Sequence, residues 1–302
     1  MKRIDKYIRL NIDSLDNKTV IITGANSGIG FSAANIFAGK NAHVVLAGRS
    51  SERLNNARIR ILKKFPNANI DVELYNQGSV NSIKDFTKNI QNKYPDFHAL
   101  VLNAGVYHPK KGLITNENYP LTSGVNFFGN LLIVELLQDF LLKKENETRI
   151  IFQSSIVARS IKKSKKFNFE KAFIEGKLSR GKQYSYSKYG VTNIFNFYKN
   201  HNTNPNIKYL CSEPGVAKTN ILRSFPKLFR FIANPFMSIV FHSSEKASLP
   251  ICYLSANKVA NGDYMIPNRL SGIKGYPKYF SSKEKYLSEE IILMALLEIS
   301  NG

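Results

Sequence analysis

Apolar and polar positions alternate along this chain with two periods. Short apolar runs near 19–23, 43–48, 69–74, 98–103, 149–154, 207–212 and 263–266 read as strands. Between them, apolar residues recur three and four apart and predict helices near 28–39, 51–64, 80–92, 118–142, 183–200 and 244–255, with a last one near 283–299. Regular strand–helix alternation predicts an α/β, doubly wound parallel sheet covered on both faces. No internal repeat and no interdomain linker is visible, so residues 1–302 read as a single domain. Two segments interrupt the rhythm: 156–182 is basic and polar, and 220–243 is apolar and aromatic.

The chemistry begins at residues 23–30, Thr-Gly-Ala-Asn-Ser-Gly-Ile-Gly, which follow the first apolar run. Apolar spacing resumes at Ile29, Ala33, Ile36 and Phe37. A strand that turns through glycines into a helix suits a dinucleotide pyrophosphate. Gly24 permits a tight turn, Gly28 lets backbone approach the phosphates, and Gly30 lets the helix start lie close to the strand. At the end of the second strand stands Arg49, where an acidic side chain would accept bonds from a ribose 2′-OH. Arginine there favours a 2′-phosphate, so NADP(H) is expected over NAD(H).

Composition adds bounds. With 43% apolar residues, the chain can bury one large core. Cys211 and Cys252 lie in apolar surroundings and read as core residues, not a disulfide framework. The five histidines are scattered, and no metal site is expected. Met1–Asn17 lacks the apolar core of a signal peptide, and Leu228–Phe241 is too short to span a bilayer, so the expected location is cytoplasmic. The formal net charge of +21 is spread along the chain and reads as a lysine-rich solvated surface. Its densest run is 159–166. No helix-turn-helix, zinc finger or RNP-like motif accompanies it, and no nucleic-acid partner is expected.

At this point the chain resembles the short-chain dehydrogenase/reductase family. The resemblance rests on the 23–30 loop, Asn103-Ala-Gly105, Asn126 within Gly-Val-Asn-Phe-Phe-Gly, Ser154-Ser155, Tyr184-Ser-Tyr-Ser-Lys188, and Pro214-Gly215 with Thr219. It covers roughly residues 17–267, in the family's order, and is nearest to the retinol-dehydrogenase-like branch. It implies a Rossmann fold and a catalytic set of Asn126, Ser155, Tyr184 and Lys188. It also implies a dinucleotide held by Gly24, Asn26, Ser27, Gly28, Ile29, Gly30, Arg49, Asn76, Asn103, Ala104, Gly105, Tyr184, Lys188, Pro214, Gly215, Val216 and Thr219. Tyr-xxx-Lys also occurs at Tyr107/Lys111 and Tyr279/Lys283, but only Tyr184/Lys188 follows the paired serines and lies in a predicted helix. Lysine one turn from tyrosine would lower its pKa by stabilising the phenolate. Ser154 is the alternative to Ser155 if the strand ends one residue earlier. In the family, Asn126 helps hold a water for a proton relay toward Lys188.

Two positions depart from the pattern. Asn76 replaces a commoner adenine-contacting Asp, and Glu213 precedes Pro214-Gly215 where His or Asn is more usual. The expected function is hydride transfer between nicotinamide and a small-molecule carbonyl or alcohol; the alternative is a non-catalytic dinucleotide sensor. Segment 220–243 reads either as an apolar lid over a lipophilic substrate or as a helical pair packed on the sheet. Lys227, Arg230 and the 159–166 run would allow peripheral contact with an anionic membrane.

Overall fold

The computed structural model describes residues 3–107, 109–161, 167–216, 242–281 and 288–301. Eight strands form one sheet: β1 Thr19–Thr23, β2 His43–Gly48, β3 Ile70–Leu74, β4 Ala99–Leu102, β5 Thr148–Gln153, β6 Ile207–Ser212, β7 Tyr264–Arg269 and β8 Lys274–Tyr279. Their order is β3-β2-β1-β4-β5-β6-β7-β8. The first seven run parallel, and β8 returns antiparallel to β7. Strand order reverses between β1 and β4, and a crevice opens beyond the carboxyl ends at such a switch point.

Side chains alternate between the faces, and both faces are buried. Ile21, Val45, Leu100, Ile150 and Phe152 enter one core, while Val20, Ile22, Val44, Leu46, Val101 and Ile151 enter the other. The second core is closed by α2 Gly28–Ala38 and α3 Ser51–Lys64 through Ala33, Phe37, Leu54 and Ile61. Cys252 is buried there and Cys211 in the first core; both are free thiols.

Over the first face lie α4 Val80–Lys93, the long segment Leu121–Leu142 and α8 Arg180–His201. The segment was expected as one helix from 118. It starts at Leu121, after Pro120, and divides into α5 Leu121–Ser123, a π turn Gly124–Phe128 and α6 Gly129–Leu142. By length and composition it could cross a membrane, but two thirds of its most apolar window is buried within the protein. The π turn buries Phe127 against α8, where a Cβ on Gly190 would come within 2.5 Å of the ring. That close approach fixes the height of α8 over the sheet.

Other differences have local causes. The helix expected at 244–255 is two, Ser244–Ala247 and Leu249–Ala256, because Pro250 lacks the N–H that would continue the first. Helix α1 Arg3–Asn11 and strand β8 were not expected. The short α7 Phe169–Phe173 lies within the 156–182 insertion, and the last helix is Ser288–Asn301. Most of the apolar 220–243 segment, and Lys162–Lys166 of the basic run, lie outside the described residues.

Candidate active site

The ends of β1 and β4 are joined by one hydroxyl. Thr23 Oγ1 donates to the Val101 carbonyl at 3.2 Å and accepts the N–H groups of Asn103 at 3.0 Å and Ala104 at 2.9 Å. Asn103 Nδ2 returns a bond to the Thr23 carbonyl at 2.8 Å. Against this knot Gly24 turns with φ +67°, and a Cβ there would lie 2.9 Å from Ala104 Cα. A Cβ on Gly30 would lie 2.5 Å from both Asn103 Nδ2 and the Gly24 carbonyl oxygen. Only glycine fits, and the start of α2 is thereby drawn onto β1. Ser27, the residue before α2, makes no side-chain cap bond, which leaves the first-turn N–H groups to an anion.

Around this loop opens a cleft of about 640 Å³. Its lining brings together Gly24, Asn26, Ser27, Gly28, Ile29, Gly30, Arg49, Asn76, Asn103, Ala104, Gly105, Ser155, Tyr184, Lys188, Pro214, Gly215 and Val216. Thr219 lies outside the described residues. Arg53, Tyr107 and Gln153 also line the cleft, although the motifs did not point to them. Arg53 lies four residues beyond Arg49, and its backbone N–H donates to the Ser50 hydroxyl, which caps α3. Asn76 Oδ1 already accepts the Gly78 N–H at 3.1 Å, leaving one lone pair for another donor.

Helix α8 carries Tyr184 and Lys188 one turn apart, the lysine buried and the tyrosine half-buried at the cleft wall. Burial pushes the Tyr184 phenol up to about 12; hydrogen bonding with Ser155 opposes this, and Tyr107 adds to it. The Tyr107 ring stands edge-on to Tyr184, with centroids 4.7 Å apart. Burial also draws Lys188 down to about 8. Its ammonium donates to the Gln153 carbonyl at 2.7 Å, so burial, and not the lysine charge, dominates Tyr184 in this arrangement. The hydroxyl of Ser154 is engaged with Thr192 at 2.7 Å, whereas Ser155 pairs with Tyr184.

Asn126 stands behind the cleft wall. Its amide accepts the Val106 N–H at 2.8 Å and donates to the Val106 carbonyl and the Ser187 hydroxyl, each at 3.0 Å. These three bonds hold the Asn103–Val106 loop against α8. Glu213 is wholly buried, and its carboxylate turns away from the cleft to Arg159 and the Tyr264 hydroxyl. That corrects one expectation: Arg159, first residue of the basic run, is committed to an internal ion pair and is not part of a free cationic surface.

Residues 18–166 match the short chain dehydrogenase family. This chain belongs to the short-chain dehydrogenase family. Among relatives, the WW domain-containing oxidoreductase of Gallus gallus is 36% identical over 141 residues, covering 47% of this chain and 34% of the relative. The chain thus spans about a third of that relative's length. Retinol dehydrogenase 13 of Mus musculus is 28% identical over 293 residues, covering 92% of this chain and 79% of the relative. The retinol-dehydrogenase-like branch read from the motifs agrees with that match. The structure of an NADPH-dependent 3-quinuclidinone reductase from Rhodotorula rubra superposes with a TM-score of 0.63 at 18% identity, covering 87% of this chain and 93% of that one. This short-chain dehydrogenase shares its fold.

Proposed function

We propose that the protein is an NADP(H)-dependent oxidoreductase interconverting a carbonyl and an alcohol on a lipophilic small molecule. The observation that carries this reading is the convergence of Ser155, Tyr184 and Lys188 in the same cleft as the glycine loop. The loop and the start of α2 would hold the pyrophosphate, Asn76 the adenine, and Arg49 with Arg53 a 2′-phosphate. The named NADPH dependence of the 3-quinuclidinone reductase supports that choice of cofactor. Once bound, the nicotinamide supplies the hydride for a carbonyl carbon. Ser155 donates to the substrate oxygen and steadies its developing charge. Tyr184, held as a neutral phenol by burial, gives that oxygen its proton. Lys188 keeps two N–H donors beyond the one used on Gln153, enough for a pair of ribose hydroxyls.

The apolar composition of 220–243 supports a lipophilic aldehyde, ketone or alcohol. Lys227 and Arg230 in that segment are the cations for peripheral contact with an anionic membrane. A panel of carbonyls and alcohols of increasing chain length, assayed with NADPH and NADH, tests the reading. Turnover that grows with chain length and prefers NADPH is expected. Absence of hydride transfer across the panel would overturn it, and vesicles ignored at low salt would remove the membrane contact alone.

A further inference from the structure

Glu213, one of the two positions that depart from the family pattern, sits at the junction of three walls of the cleft. It follows β6 and directly precedes Pro214, Gly215 and Val216, which line the cleft. Its carboxylate takes both arms of the Arg159 guanidinium, Nε at 3.0 Å and Nη2 on the second oxygen. Arg159 belongs to the 3-10 turn Ile156–Ser160, which continues directly from Ser155 and whose Ile156 and Val157 also line the cleft. The third partner, the Tyr264 hydroxyl, comes from β7, and its ring packs edge-on against Phe195 of α8, the helix of Tyr184 and Lys188.

Arg159 is itself held from behind. Nη1 donates to the Ser271 carbonyl at 3.1 Å, and the guanidinium lies 4.2 Å from the Phe280 ring centroid. Leu270 and Ser271 adopt φ of 49° and 52°, a conformation side-chain-bearing residues seldom take, and it aims that carbonyl at the arginine. A Cβ on Gly272 would approach Arg159 Nη2 to 3.2 Å. The same loop accepts the Val216 N–H on Ile273 at 2.9 Å. Loss of one partner from a buried ion pair leaves a bare charge and costs far more than the pair contributes, so such a clasp is a rigid coupling and not merely a source of stability.

We infer that Arg159 and Glu213 are positioning residues: their ion pair locks the Ser155 wall to the Pro214–Val216 wall and sets the distance across which hydride transfer occurs. The inference rests on the proposed oxidoreductase reading for its kinetic part only. Neither residue touches the reacting atoms.

The test uses the full chain and two charge-preserving variants, Glu213→Asp and Arg159→Lys, beside Glu213→Gln. Hydrogen exchange on the protein alone comes first. The Ala158 and Val216 amides, on opposite walls, should speed up together by ~10-fold in Glu213→Gln, with β1 to β3 unchanged. Faster exchange confined to 213–216 would overturn the coupling. With a carbonyl substrate, Glu213→Asp should lower kcat by ~10- to 100-fold, leave NADPH binding within about threefold, and raise the isotope effect from deuterated NADPH. Unchanged kcat per folded molecule with a lowered Tm would reduce the pair to a structural role. If the parent chain turns over no carbonyl, the oxidoreductase reading falls, while the exchange result still decides the clasp.

Discussion

The ammonium of Lys188 is bonded to the backbone carbonyl of Gln153, the last residue of β5 and the neighbour of Ser154. Together with the Ser154–Thr192 bond, this contact ties α8 to the strand end that presents Ser155. It also leaves the lysine charge in a buried place, with consequences that can be measured.

Burial lowers Lys188 to about 8 from 10.5. Between those values the unfolded chain holds a proton that the folded chain has released, so stability rises with pH across that window. Below the folded value the burial penalty is present in full, about 3 kcal/mol for a shift of this size. Lys188→Met should therefore flatten the rise of the urea midpoint between pH 8 and 10.5 relative to the parent. Equal slopes for the two proteins would mean that the ammonium is solvated.

Tyr184, with its phenol near 12, is protonated throughout the neutral range. Carbonyl reduction finds its proton donor ready, whereas alcohol oxidation needs the phenolate. Oxidation should climb with pH, roughly tenfold per unit through the neutral range, while reduction stays level. Tyr184→Phe should cut both by at least ~100-fold and keep dinucleotide affinity. A pH-independent oxidation rate in the parent would assign the proton transfer elsewhere.

Arg49 and Arg53 line one part of the cleft, at the start of α3. Replacing Arg49 with Asp should weaken NADPH binding by ~10- to 100-fold, the worth of a charge-assisted pair, and narrow its margin over NADH. Arg53→Ala should act in the same direction and less strongly. Calorimetric titration of each variant with both cofactors reads this, and equal affinities in the parent would sink the 2′-phosphate assignment.

Thr23→Val keeps the shape of a buried side chain and removes the acceptor of two N–H groups. The cost should be about 2 kcal/mol, seen as a lower denaturant midpoint at unchanged slope. Dinucleotide affinity should fall as well, since Gly24 packs on the loop these bonds hold. A stable variant with parental affinity would show that the loop needs no such anchor.

Strands such as Thr19–Thr23 and Ala99–Leu102 were legible because they are compact apolar runs. Helix α1 was hidden since none of its nine residues is fully buried, and β8 since its Lys-Gly-Tyr-Pro-Lys-Tyr carries both strand-breaking residues. The π turn at Gly124–Phe128 has no signature in spacing, yet it places Asn126. Tyr184, Ser155 and the glycine loop could be read from motif order, because chemistry fixes residue types there. Thr23, Arg53 and the Arg159–Glu213 pair could not, since a hydroxyl, a surface-type arginine or an isolated acid shows its partner only after folding. Chance matches separated likewise: Tyr107/Lys111 lies in a loop, and Tyr279 ends β8.

The antiparallel strand β8 finishes the sheet in a way that bears on how these molecules behave when crowded. Pro277 faces Pro267 across the last ladder, so neither strand offers an N–H at that register, and Lys274 and Lys278 flank the gap with charge. A bare parallel edge would invite the strand of another molecule to continue the ladder. Here a newcomer meets a missing donor, a register shift between Pro267 and Arg269, and two cations. The final hairpin therefore acts as a stopper against chain-to-chain β-stacking, leaving the opposite edge at β3, with Asp71 and Glu73 along it, as the only other end of the sheet among the described residues.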